Sequence, residues 1–413
     1  MKQGSITLAC MAAVLLLAPA AQARIKLATL PVRERVEVQL DNGTYTLVEE
    51  ERIVPLLKST AENGNNRIDF SWSNTQIDKN TILFRPLAIR QGGKFRAIAK
   101  ADGKEEINVI NVAYPPGENA LVWEVYAAEA CAAKVRVSYL VSNLNRSFSY
   151  RALANKDETE LTFRNFIQLR NYSGEDFGTA GVWAGFGPKF LKKIQQQETI
   201  KMLLHRFEKV PVNKTFTFDW YKHGQLNPAK PLASRVLMHY ELVNDEKHEM
   251  GLFPLQPGKV RIFIQDGHGG EAFLGEDIAK LTPLDDKMRL YLGESRDIVC
   301  TRIMKENKRH NVRGNLHNQE IVISYEIENF KDKACQLDIV EQINGLCREY
   351  AGDPHGDAEW EQKERTSKGI DFSYPTDKVN PVLSVKLPAR PKDKAEKVKK
   401  QVFTFHLLIK NVW

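Results

Sequence analysis

The sequence predicts an all-β protein of two or more packed β-sandwich domains, built from mainly antiparallel strands. Three observations carry this. Short alternations of apolar and polar residues recur about every ten to fifteen residues, the spacing of sandwich strands. Glycine, proline and asparagine punctuate them in combinations that reverse a chain. Helical periodicity is almost absent, and only Pro188–Arg206, where Leu191, Ile194 and Leu203 could line one face, suggests a short helix near 188–200.

At 413 residues the chain is long enough to bury more than one core. Its 42% apolar content is that of a globular protein rather than a disordered one. The net charge of +7 is mild at this length. Lys and Arg are interleaved with Asp and Glu instead of gathering on one module, which argues against a nucleic-acid partner.

Residues 1–23 read as a cleaved secretory signal peptide. Met1-Lys2 is a short basic start, Ile6 to Ala18 is an apolar run of about thirteen residues, and Ala21-Gln22-Ala23 is a small-x-small cleavage site. The run falls short of the roughly 20 apolar residues that cross a bilayer, and nothing later in the chain is longer. The expected location is therefore exported, periplasmic or extracellular, with no transmembrane segment in the mature chain.

Residues 24–130 form the first expected domain. Val32 to Leu40 alternates apolar and charged residues, Asp41-Asn42-Gly43 is a hairpin turn, and Tyr45 to Val48 returns. Strands follow at Ile68 to Trp72, Thr81 to Pro86, Phe95 to Ala99, Ile107 to Val112 and Ala120 to Tyr126, each bounded by a glycine, asparagine or proline turn. The composition changes at Ala127–Ala133 (AAEACAA), where the second domain, 131–413, is expected to begin. It divides into two sub-sandwiches, 131–250 and 251–413. Within it Lys134 to Leu144, Phe148 to Leu153, Glu160 to Arg170, Thr215 to Trp220, Ser234 to Val243 and Gln319 to Ile327 read as strands. The polar stretch Arg348 to Lys368 and the lysine-rich Pro391 to Gln401 read as exposed loops.

The stretch Leu252 to Ser295 (LFPLQPGKVRIFIQDGHGGEAFLGEDIAKLTPLDDKMRLYLGES) reads as a three-strand meander. Val260, Ile262 and Ile264 alternate in the first strand, Ala272 to Leu274 form the second, and Met288, Leu290 and Leu292 alternate in the third. This order of strands and acidic-glycine loops resembles the conserved C-terminal domain of unknown function of mucoidy-inhibitor-like secreted proteins. Val135 to Tyr150, the Ser173-Gly174-Glu175-Asp176 step, Ile321 to Asn329, Leu337 to Gln342, Trp360 and Val402 to Ile409 extend the resemblance over about residues 133–413. It implies a secreted β-rich protein and brings no reaction or site residue with it.

Motifs for chemistry are sparse. No Gly-x-Ser-x-Gly elbow, His-Glu-x-x-His helix or phosphate-binding Gly-Lys-Ser/Thr loop is present. The glycines at 178, 181, 185 and 187 have the wrong spacing for a phosphate cradle and run into Pro188. Asp353, His355, Asp357 and Glu359 alternate, so on an extended segment they would share one side and could hold a divalent metal; a hydrated acidic loop is the simpler reading. Asp266, His268 and Glu271 read as a turn built from turn formers. Trp72, Trp123, Trp183, Trp220, Trp360 and Trp413 read as core, with stacking on sugar rings the alternative for any that are exposed. No cofactor is called for.

These observations favour an exported, non-catalytic cell-envelope protein that binds an envelope protein or a surface polysaccharide. A carbohydrate-binding module, or a metal-dependent hydrolase using the His355 loop, is the alternative. In an oxidising compartment Cys131, Cys300, Cys335 and Cys347 are disulfide candidates. If Leu337 to Gln342 is a strand and Asn344-Gly345 a two-residue hairpin turn, Gln342 lies opposite Cys347. Cys335 is then about 23 Å away along the strand at about 3.3 Å per residue, beyond the roughly 7 Å between Cα atoms that a disulfide tolerates. Cys347 is thus expected to reach Cys300 or Cys131, or to stay free.

Overall fold

Period-two burial runs through the chain. In Glu160–Asn171 every second residue from Leu161 to Leu169 is buried, and Cys131–Ser142 and Leu316–Asn329 repeat the pattern. The computed structural model describes residues 25–26, 33–40, 44–72, 76–101, 104–220, 232–233, 236–346, 359–368, 370–373, 380–393 and 396–412. The expected signal at 1–23, the metal candidates Asp353, His355 and Asp357, and also Cys347 and Trp413, lie outside them. The fold is all-β, in several mostly antiparallel sheets, and no helix longer than a single turn occurs among the described residues.

The chain divides into two compact units, one of residues 1–146 with 169–200 and one of 147–168 with 201–413. The first unit holds a four-stranded sheet, in the order Ile25–Lys26, Asn66–Ser71, Ala120–Ala127, Ile107–Ala113. Its seven-stranded sheet runs Phe190–Ile194, Gly178–Trp183, Arg35–Gln39, Tyr45–Leu56, Cys131–Ser142, Ile77–Gln91, Lys94–Ala97. Phe70 and Trp123 of the smaller sheet meet Tyr139 and Phe84 of the larger, with ring centroids 5.7 Å and 4.9 Å apart. Such aromatic pairs add about 0.5–1.5 kcal/mol each beyond the area they bury. Pro86 sits in the interior strand Ile77–Gln91 opposite Val135, beside a break in register, the kind of irregular position to which proline in a sheet is confined.

The second unit has three larger sheets. One runs Glu198–Pro211, Glu160–Asn171, Leu144–Ala154, Gly258–Gln265, Glu271–Ala279; a six-stranded one runs Lys287–Ser295, Val236–Val243, Asn213–Asp219, Cys335–Val340, Val382–Leu387, Asp371–Ser373. The third runs Leu232–Ala233, Ile298–Arg313, Leu316–Asn329, Gln401–Val412, Trp360–Gln362. Phe216, Phe218, Leu337 and Ile339 of the six-stranded sheet share one buried cluster with Ile321, Ile323, Tyr325 and Phe405 of the third.

Four expectations are corrected. The segment near 188–200 is not helical: Phe190–Ile194 pairs with Gly178–Trp183, and Gln197 at φ 59° turns the chain into the next strand. Of the three residues with helical spacing only Ile194 is buried, while Leu191 is 78% exposed. The meander is a hairpin plus a strand of another sheet. Gly258–Gln265 pairs with Glu271–Ala279, but Lys287–Ser295 pairs with Val236–Val243. The buried Asn244 amide binds the carbonyls of Phe253, Thr282 and Pro283 and steers the chain across. Asn344-Gly345 is not a hairpin turn, because Ile343–Leu346 is a single helical turn in which Leu346 N–H donates to Gln342 O at 2.9 Å. Residues three apart share a face of such a turn, and Ile343 and Leu346 are both fully buried. Finally, the composition change at Ala127–Ala133 does not coincide with the division between units, since Cys131–Ser142 lies between Tyr45–Leu56 and Ile77–Gln91 in the first unit's sheet.

Each unit buries a carboxylate between a tyrosine and an arginine. In the first, Glu50 accepts the Tyr139 hydroxyl at 2.7 Å and the Arg52 guanidinium at 2.6 and 3.0 Å, and Arg33 adds a contact at 3.1 Å. In the second, Glu341 accepts Arg302 in a fork at 2.9 and 3.1 Å and also the Tyr325 hydroxyl, with the Arg302 guanidinium 4.6 Å from the Trp220 ring centre. Burial above all, and the neighbouring carboxylate, push both phenols far above their usual value. The two groups satisfy buried charge in the interior.

Candidate functional site: a polar cleft

In the six-stranded sheet, apolar residues on one face leave the alternate positions to the other. Phe216, Phe218, Leu337, Ile339, Leu383 and Val385 are buried in the core. The intervening Asn213, Thr215 and Thr217 line up with Glu241 and Arg289 on one side and with Asp338 and Ser384 on the other. The register fixes this: Asn213 lies opposite Glu241, Glu241 opposite Arg289, Thr217 opposite Asp338 and Asp338 opposite Ser384. This polar face is the floor of an open cleft of about 1120 Å³. The turn Lys156–Thr159, the segment Phe330–Ala334 and Arg390 form its walls.

The walls are fixed by local chemistry. Asn155 accepts the amides of Thr159 and Glu160 at 2.9 and 3.3 Å, which closes the turn and sets Glu158 at φ 57°. The Glu158 carboxylate then accepts Lys214 Nζ at 2.6 Å and the Tyr240 hydroxyl at 2.7 Å. Burial works to raise its pKa, but these two donors outweigh it and hold the carboxyl below its ordinary range. On the other wall Asn329 anchors the segment by donating to the carbonyls of Pro388 and Lys333 at 2.7 and 3.3 Å.

Most charges lining the cleft are matched in place. Lys287 meets Glu241 at 2.9 Å, Lys333 meets Asp157 at 3.4 Å and Arg390 meets Asp332 at 2.5 Å. Asp338 accepts from Gln336 and Ser384 at 2.9 and 2.7 Å. Arg289 donates to Thr217 Oγ1 at 2.5 Å, and Lys331 Nζ stands 5.2 Å from the Phe216 ring centre. The result is a wide surface dense in hydroxyl, amide, carboxylate and guanidinium groups. Such a surface can hold a ligand by many modest hydrogen bonds, each strengthened where a charged group takes part.

Of the sequence candidates, only Glu359 among the four metal positions is described. It is exposed beside the strand Trp360–Gln362, where its carbonyl accepts Lys410 N–H at 2.7 Å. No group of three or more His, Cys, Asp or Glu side chains among the described residues is arranged to hold a metal ion. Asp266 accepts the amides of His268 and Gly270 at 2.7 and 2.9 Å, as a turn-building residue does. Cys131, Cys300 and Cys335 are free thiols. Trp123 and Trp220 are core residues, each 1% exposed, while Trp72, Trp183 and Trp360 are half-buried. The cleft itself was not among the candidates. The alternation of Asn213, Thr215 and Thr217 with Phe216 and Phe218 was the signal that could have pointed to it. No protein-family model matches the chain, and no curated protein matches it. Neither comparison supports the resemblance to the mucoidy-inhibitor-like domain.

Proposed function

We propose that the protein is an exported, non-catalytic binding protein of the cell envelope, and that the cleft of the second unit takes a surface polysaccharide. The observation that carries this is the cleft's floor: a broad sheet face of hydroxyl, amide and charged side chains, open along its length. A polymer rich in hydroxyl groups complements such a face, because each sugar offers donors and acceptors to successive strands. Export is supported by the signal-like residues 1–23, with Arg24 as the first residue of the mature chain.

Titration of the purified protein with soluble polysaccharides by calorimetry tests the reading. A polymer that binds wild type should bind Arg289→Ala about tenfold more weakly, since a hydrogen bond to a charged group contributes about 1.5–3 kcal/mol and tenfold corresponds to about 1.4 kcal/mol. Binding unchanged by Arg289→Ala and by Thr217→Val would move the site elsewhere. Recovery from cross-linked envelope extracts of a protein alone, with no polysaccharide binding, would replace the polymer with a protein partner.

A further inference from the structure

The hydrogen-bonding capacity of the cleft is filled unevenly. Its carboxylates are largely taken: Glu158, Glu241, Asp157 and Asp332 each hold a lysine or arginine, and Asp338 accepts from Gln336 and Ser384. Among the lining carboxylates described, Asp297 alone accepts no side-chain donor, and it is exposed.

The cations differ. Arg289, on the outermost strand Lys287–Ser295, reaches past Val236–Val243 to Thr217 and donates through Nη2 to that hydroxyl alone. A guanidinium carries five N–H bonds in a planar fork that matches a carboxylate, so most of this one is open. Lys331, on the wall, meets the face of the Phe216 ring. Its charge bears on Glu158 through space, but that carboxylate is already held by Lys214 and Tyr240. The main chain at Lys331 is pinned on both sides: its N–H donates to Asn329 Oδ1 at 3.1 Å, and its C=O accepts Arg390 N–H at 2.9 Å. Neither cation contacts a carboxylate among the described residues.

We propose that the ligand of this cleft is an acidic polysaccharide, whose carboxylates bind at Arg289 and Lys331; the proposal rests on the reading of the cleft as a polysaccharide site. A carboxylate fills the Arg289 fork and neutralises the Lys331 ammonium, and hydrogen bonds assisted by charge are roughly twice as strong as those a neutral sugar hydroxyl could supply. The pairs Lys287–Glu241, Lys333–Asp157 and Arg390–Asp332 leave the rest of the lining matched, so two points in the cleft select acidic sugars while the remainder takes hydroxyls. The net charge of +7 draws such a polymer in from a distance.

Calorimetric titration with polygalacturonate, and with the same polymer after reduction of its carboxyl groups, tests this. Wild type should bind the acidic form about tenfold more tightly than the reduced one, and the difference should shrink as NaCl rises from about 50 to 500 mM. Arg289→Gln and Lys331→Gln should each erase most of that preference by weakening the acidic form, and Arg289→Lys should keep part of it. Lys94→Gln removes the same charge from an exposed position of the first unit and should leave both affinities unchanged. Equal wild-type affinity for the two polymers overturns the acidic ligand and leaves the cleft a site for neutral sugars. A preference that Lys94→Gln weakens as much as the cleft variants do is attraction by net charge, and overturns it as well. Binding of neither polymer overturns the proposal together with the reading on which it rests.

Discussion

Glu341 shows what a single buried charge requires. It is fully enclosed, and its two oxygens are accounted for by the Arg302 fork and the Tyr325 hydroxyl. Removing one partner strands the other in a medium that cannot solvate it, so Arg302→Leu should destabilise the second unit by about 3–5 kcal/mol. The double variant Arg302→Leu with Glu341→Leu should recover a large part of that loss, because the uncompensated carboxylate is then gone. Denaturant unfolding of the two variants beside wild type checks the order. Nothing in the sequence announced this group: Arg302, Tyr325 and Glu341 stand on three separate segments, and a glutamate after Leu337–Val340 reads as the polar end of a strand. Glu50 was equally silent, since Glu49-Glu50-Glu51 looks like a solvated run until the register turns its middle member inward.

Single elements were far more legible than their partners. The alternations at Val36–Val38, Val260–Ile262 and Met288–Leu292 put strands where strands are, because a period of two is a local property of the chain. Which strand lies beside which is set by contacts distant in sequence, and there the meander reading failed, as Lys287–Ser295 left its hairpin for another sheet. The same limit hid the cleft, whose floor joins residues from strands more than a hundred positions apart. Gly258 begins a strand paired in parallel, opposite Phe148. A Cβ at Gly258 would stand 2.3 Å from the Phe148 carbonyl oxygen and 2.7 Å from its carbon. Backbone cannot rotate away as a side chain can, so Gly258→Ala should cost about 1–3 kcal/mol by forcing the two strands apart. The readouts are the denaturation midpoint and hydrogen exchange at Phe148–Ala154, which should quicken there before elsewhere.

At the scale of the molecule, neither unit is a continuous stretch of chain, because the division is crossed near residues 146, 168 and 200. A composition shift at Ala127–Ala133 could not reveal this, since composition reports the local environment and not the sheet a strand joins. A fragment of residues 24–130 would lack Cys131–Ser142 from the middle of the seven-stranded sheet and Gly178–Ile194 from its edge. It is expected to lack the near-ultraviolet dichroism of packed aromatics, because Tyr139 is missing from the cluster with Phe70 and Trp123; a cooperative melt from that fragment would contradict the division into units. The parallel pairing of Phe148–Ala154 with Gly258–Ile264 also sets a clock. On the ribosome the earlier strand emerges about 110 residues before its neighbour, a delay of roughly 5–20 s at the usual pace of synthesis. For that interval one side of a fully formed hairpin waits without its mate, and whatever keeps the nascent chain from pairing wrongly has to act within those seconds.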